Sequence, residues 1–177
     1  MTPGGCFGAD DGGRGALYDA VRAYVRQDCA NNKECGAYVL QDCASYEECD
    51  IAQVYGWPMN SWCVDNVKDM SWLFYEMDTF NEDINGWNTS SVTSMNNMFY
   101  YASSFNGDVS NFDTSSVTSM NGMFSGASLF NGDLSNFDTS SVTDMKYMFS
   151  EARAFNQDLS NFDTSSVTDM HLSLIHI

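Results

Sequence analysis

The sequence predicts an α/β solenoid: 25-residue coils, each with one short strand and one short helix, stacked behind an N-terminal helical cap. A strict repeat predicts the stack. Thr-Ser-Ser-Val-Thr-(Ser/Asp)-Met recurs with its valine at Val92, Val117, Val142 and Val167, a constant step of 25 residues, and Val67 with Met70 forms a weaker copy one period earlier. A fixed period of roughly 20 to 50 residues marks a repeat array whose units bury their apolar faces against one another. An apolar stripe at Leu17, Val21, Tyr24 and Val25, interleaved with Asp19, Arg22 and Arg26, predicts the capping helix.

Superposing the units separates core from surface. The apolar columns are Val92/Val117/Val142, Met95/Met120/Met145, Met98/Met123/Met148, Phe99/Phe124/Phe149, Ala102/Ala127/Ala152, Phe105/Phe130/Phe155, Val109/Leu134/Leu159 and Phe112/Phe137/Phe162. Leu73, Phe74, Phe80, Ile84 and Trp87 fill them in the first unit. Burying one such side chain is worth about 1.5–3 kcal/mol, so several columns per coil can offset the ordering of a short unit. Methionine at this spacing reads as gap-filling core rather than a soft-metal path. Within a unit, Thr143 to Phe149 is expected to be a short helix with Thr143 as N-cap and Met145, Met148 and Phe149 on one face. Asp133 to Phe137 is expected to be a short strand pairing in parallel with its neighbours.

Four regions follow. Residues 1–15 are a flexible Gly- and Asp-rich lead-in, 16–54 a helical cysteine-bearing cap, and 55–170 the repeats. Residues 171–177 read as a sequencing-adapter artefact, because Leu-Ser-Leu-Ile-His-Ile looks like the translation of a transposase end sequence. The natural protein is then expected to continue with more repeats, and the exposed final coil to promote self-association.

Composition excludes some function classes. Seven Lys and Arg stand against 24 Asp and Glu, a net charge of −17. Phosphate binding needs clustered cations, so this balance argues against nucleic acid and against an anionic membrane surface. The 44% hydrophobic and 14% aromatic content is too high for a disordered chain. No stretch has the roughly 18 apolar residues of a membrane span.

Six cysteines include a small duplication, Gln27-Asp28-Cys29 and Gln41-Asp42-Cys43, each followed six residues later by Cys35 and Cys49. The spacing and the lack of a nearby histidine argue against zinc. Disulfides, with Cys29–Cys35 and Cys43–Cys49 as the local pairing, fit an oxidising compartment; reduced buried thiols are the alternative. Asn88-Thr89-Ser90 is the one N-glycosylation sequon, usable in a secreted eukaryotic protein.

The polar columns each have a bland and a sharp reading. Asn81/Asn106/Asn131/Asn156 reads as a turn-bonding column. Asp108, Asp133 and Asp158, with Asp113, Asp138 and Asp163, form two carboxylate columns. Turn and cap bonding accounts for them; calcium, which favours oxygen-only acidic sites, is the alternative and the sole cofactor considered. The Thr-Ser-Ser blocks read as turn formers before an ice- or glycan-binding ridge. With His171 and His176 the only histidines, no Ser/His/Asp or Cys/His set exists, and repeated carboxylates do not make the unique dyad of a glycosidase. The expectation is therefore no enzyme.

The unit from Phe130 to Phe149, with Trp87 and Trp62 in the aromatic column and Val54-Tyr55-Gly56-Trp57-Pro58-Met59 before the repeats, resembles BspA-like leucine-rich-repeat surface proteins. The resemblance implies a leucine-rich-repeat-like stack displayed outside the cell or on its surface for adhesion or protein recognition, with no shared catalytic residues. The expected function is a non-catalytic module binding proteins or glycans through the strand-lined face, where Ser110, Ser135 and Ser160 point outward. A calcium-dependent structural or matrix protein is the alternative.

Overall fold

The computed structural model describes residues 7, 14–26, 58–171 and 173. One α-helix, α1 (Arg14–Arg26), and one 3-10 turn (Met59–Ser61) precede a stack of coils built from turns. Consecutive coils meet at single parallel bridges in a 25-residue register, Asp69 to Ser94, Ser94 to Ser119, Ser119 to Asp144 and Asp144 to Asp169. Among the described residues there is no strand and no helix within the repeats, so the expected α/β solenoid is corrected.

The backbone bonds explain why the helix expected from Thr143 to Phe149 does not form. An α-helix sends every N–H to the carbonyl four residues back. Here alternate N–H groups leave the coil: Met95, Asn97, Phe99 and Tyr101 donate to the carbonyls of Ser119, Asn121, Met123 and Ser125 in the next coil. The intervening Met98, Tyr100 and Ala102 close tight turns onto Met95, Asn97 and Phe99. The same alternation starts at Met70, Met120 and Met145. In each coil two residues four apart take a positive φ to turn the chain: Trp72, Asn97, Gly122 and Tyr147 in one column, Glu76, Tyr101, Gly126 and Glu151 in another. Met95, Met98 and Phe99 thus share an inward face at the spacing of a helix without being one.

The strand expected over Asp133–Phe137 is also replaced by a turn. Ser135 N–H donates to Asp133 Oδ1 at 2.8 Å, and Phe137 N–H to the Leu134 carbonyl at 3.0 Å. Leu134 and Phe137 are buried while Ser135 and Asn136 are exposed, a spacing of three rather than the two a strand requires.

The core is one continuous cluster running from α1 through the coils. Its spine is a double phenylalanine ladder. Phe74, Phe99, Phe124 and Phe149 stack at 5.2, 5.4 and 5.8 Å between ring centroids. Phe80, Phe105, Phe130 and Phe155 stack alongside at 5.8, 5.8 and 5.9 Å. Within a coil the two columns meet at about 4 Å, as between Phe99 and Phe105 (4.0 Å). At the other end Leu17, Ala20, Val21 and Tyr24 bury the inner face of α1, and Tyr24 meets Trp62 edge-on at 5.7 Å. In the last described coil Leu159, Phe162 and Val167 are half-buried and Met170 is exposed, whereas Leu134, Phe137, Val142 and Met145 one coil earlier are buried.

Polar side chains tie coil to coil. The buried hydroxyls of Thr89, Thr114 and Thr139 each donate at 3.0 Å to the carbonyls of Asp113, Asp138 and Asp163. Thr93, Thr118, Thr143 and Thr168 donate to the preceding coil. Asn81, Asn106 and Asn131 each accept the N–H of the asparagine one coil later, at 2.8, 2.8 and 2.9 Å. A last column changes chemistry at every step: Ser71 with Ser94, Asn96 with Ser119, Asn121 with Asp144, Lys146 with Asp169. Each pair is matched within itself, which favours one order of coils over a slipped one.

Candidate functional site

Ser110, Ser135 and Ser160 do not stand on a strand. Each sits two residues after an aspartate in a turn, its N–H bonded to Asp108, Asp133 or Asp158 at 2.8–2.9 Å. Ser110 is half-buried, and Ser135 and Ser160 are exposed. They share a column, and none of them lines the groove described below.

The second aspartate column is engaged in the same way. Asp113 and Asp138 each accept the N–H and the hydroxyl of Ser115 and Ser140, and Asp163 accepts the Ser165 N–H. The serine bonds, hydroxyl first and N–H second, hold the Asp113, Asp138 and Asp163 carboxyls below the usual carboxylate range. For Asp133 the Ser135 N–H is the larger cause. Asp138 pushes back on Asp113, and Asp163 on Asp138, but the serine bonds outweigh this repulsion. Among the described residues no group of three or more His, Cys, Asp or Glu is placed to hold a metal ion.

These depressed values set a pH dependence. A carboxyl whose folded pKa lies below its unfolded value of about 3.9 stabilises above that value and loses the contribution as pH falls through the folded pKa. Thermal melts are therefore expected to be level from about pH 7 to 5 and to drop below about pH 4. The triple variant Ser115→Ala/Ser140→Ala/Ser165→Ala should flatten that acid limb. An unchanged limb in the variant would show that the serine hydroxyl bonds are not its source.

A groove of about 480 Å³ opens beside the first coils, lined by Asn60, Glu82, Asp83, Asn85, Asp108 and Asn111 among others. Its polar groups mostly bond one another. Asp83 accepts the Asn85 N–H, Asp108 accepts the Ser110 N–H and the Asn85 carboxamide, and Asn60 Oδ1 accepts the Gly86 N–H. Burial, with a smaller contribution from Asp83, raises the Glu82 carboxyl.

Among the described residues, the most exposed aromatic surface lies elsewhere, on the alternating-turn face of the first two coils. Trp72 (39% exposed) meets Tyr75 edge-on at 5.2 Å and Tyr100 at 5.9 Å. Tyr75 stacks on Tyr100 at 5.5 Å, and Tyr100 meets Tyr101 (41% exposed) at 4.7 Å. The Tyr75 hydroxyl donates to Glu76 at 2.6 Å. These rings are not core residues. They occupy columns that hold Gly122, Ser125 and Gly126 in the third coil, and a Cβ on Gly126 would come within 2.8 Å of the Tyr101 ring. Sequence reasoning missed them because it sought columns that repeat. Their signal was the opposite: aromatic residues present in two units and replaced in the third.

Other candidates fall partly outside this region. Cys29, Cys35, Cys43 and Cys49 lie outside the described residues, so the pairing inferred from their spacing finds no support; Cys63 is disulfide-bonded. Asn88 is exposed, and its Oδ1 accepts the Ser90 hydroxyl at 2.8 Å, the part that aspartate plays in later coils.

The family model described as "Mycoplasma protein of unknown function, DUF285" matches residues 44–134 and again 107–174. The chain belongs to the DUF285 family. No curated protein and no solved structure matches it. Membership in DUF285 corrects the resemblance to BspA-like leucine-rich-repeat proteins. The turn-built DUF285 coils also lack the strand and helix that resemblance implied, and with it goes the support for adhesion. Among the described residues no helix is long and apolar enough to cross a membrane.

Proposed function

We propose that this chain is a non-catalytic recognition module, extracellular or at the cell surface, which binds a protein or glycan ligand through the surface of its coil stack. The observation that carries the reading is the four-ring platform of Trp72, Tyr75, Tyr100 and Tyr101. Trp72 (39% exposed) and Tyr101 (41% exposed) reach into solvent beside the half-buried Tyr75 and Tyr100, and exposed rings grouped in this way are costly unless they meet something. Aromatic side chains offer contact area at low entropic cost, and they are enriched where proteins bind. The serine and aspartate columns contribute to the stack through turns, which shifts the expected contact surface from Ser110, Ser135 and Ser160 to the platform.

The test is a binding screen of the chain against immobilised peptides and oligosaccharides, run in parallel with Trp72→Asn. Asparagine suits the site because Asn97 holds the same column at positive φ. At least one ligand is expected to lose tenfold or more in affinity with the variant. Identical binding profiles for the two proteins would reject the platform as the recognition surface.

A further inference from the structure

We infer that the platform takes a cationic ligand, a lysine- or arginine-bearing peptide segment, a reading that rests on the recognition role proposed above. Two features of the molecule point to a cation rather than a neutral sugar. The first is charge. Glu76 is exposed beside Trp72 and Tyr75 and bonded to the Tyr75 hydroxyl, in a protein with 24 acidic side chains against seven Lys and Arg. The Tyr100 phenol is raised first by burial and then by the charges of Tyr101, Glu151 and Glu76, so carboxylates from two coils bear on the middle of the platform. The Tyr75 phenol is raised as well, chiefly by its bond to Glu76.

The second feature is a pairing the chain already makes with itself. Tyr147 occupies the column of Trp72 three coils later, and the Lys146 ammonium lies over its ring, 5.6 Å from the centroid, while also pairing with Asp169 at 3.2 Å. In the fourth coil, then, a ring in this column is covered by a cation that a carboxylate holds. The first coil has the ring, Trp72, but Ser71 where the fourth coil has Lys146, and Ser94 stands one coil on where Asp169 holds that lysine; the carboxylate at hand is Glu76, in the column of Glu151. Among the described residues no cation lies over Trp72, Tyr75, Tyr100 or Tyr101. A ring face attracts an ammonium or guanidinium within about 6 Å, indole most strongly. A lysine or arginine from a partner would therefore cover Trp72 as Lys146 covers Tyr147, with Glu76 supplying the nearby carboxylate.

The experiment titrates the full chain by calorimetry with a peptide of alternating lysine and glycine, with the same peptide acetylated on every lysine, and with a neutral oligosaccharide. The lysine peptide is expected to bind, to lose tenfold or more with Trp72→Asn and threefold or more with Glu76→Gln, and to weaken as salt rises from about 0.05 to 0.5 M. Acetylation should abolish binding. Melting curves check that both variants remain folded. Equal binding of the acetylated peptide would overturn the cationic ligand. Lysine-peptide binding that Trp72→Asn leaves unchanged would overturn it too, by showing general attraction to an acidic protein. If the oligosaccharide alone binds and Trp72→Asn weakens it, the recognition role stands and the cationic ligand falls. If no ligand of either class responds to Trp72→Asn, both fall.

Discussion

Replacing Phe124 by alanine is expected to cost about 3–5 kcal/mol, among the largest losses available from a single side chain in this stack. Phe124 has no exposed surface and sits where the two ladders cross. Its ring lies 3.9 Å from Phe130 in its own coil, 5.4 Å from Phe99 before it and 5.8 Å from Phe149 after it. Coils contact only their neighbours, so a cavity there weakens both interfaces of one coil together. Urea unfolding followed by far-UV circular dichroism should show the midpoint fall, with Phe124→Leu losing much less. A loss below about 1 kcal/mol for the alanine would mean that the ladder relaxes around the gap, contrary to a close-packed core.

Gly122→Val is expected to destabilise by about 2–5 kcal/mol, for a backbone reason. Gly122 has φ +59°, and a β-branched residue is strongly disfavoured there. The left-handed conformation costs an ordinary residue about 1–2 kcal/mol. A Cβ would in addition press on the Asn97 carboxamide oxygen of the preceding coil, the end of a side chain that can turn aside, so this contact adds at most about 1–3 kcal/mol. The two contributions can be separated. Asn97→Gly in the same molecule removes the collision and leaves the backbone cost, so the double variant should recover about half the loss. No recovery would place the whole effect in the backbone, and full recovery would place it in the contact.

The positive-φ column of Trp72, Asn97, Gly122 and Tyr147 also shows where the sequence stopped being legible. A repeating Gly or Asn would have signalled left-handed turns, but the column mixes four residue types. The segment Met-x-x-Met-Phe instead presents apolar residues at i, i+3 and i+4, which reads as a helix. Its inward face was correctly assigned because burial depends on which residues are apolar. Its conformation was not, because that depends on where the N–H groups find acceptors. Asp133–Phe137 failed for a related reason: two apolar residues three apart suit a turn as well as they suit a distorted alternation.

The candidate site was less legible than the core. Repeat reasoning weighs each position by its recurrence, and the platform consists of Trp72, Tyr75, Tyr100 and Tyr101, whose columns hold rings in only some of the coils. The aspartates, by contrast, recur with serine two residues on, and that spacing places the carboxylate against the Ser115 and Ser140 N–H groups. Their turn bonding followed from local geometry alone.

The sequence by itself determined the 25-residue period, the apolar columns and the acidic surface, since all three are properties of residue type and order. Only the tertiary structure decided that the coils are turns and that four scattered rings form one platform. A short coil has two nearly equivalent sets of hydrogen-bond acceptors, its own carbonyls and those of its neighbour. The choice between them is made when a second coil lies alongside, in a register that the phenylalanine ladders and the threonine and asparagine columns hold.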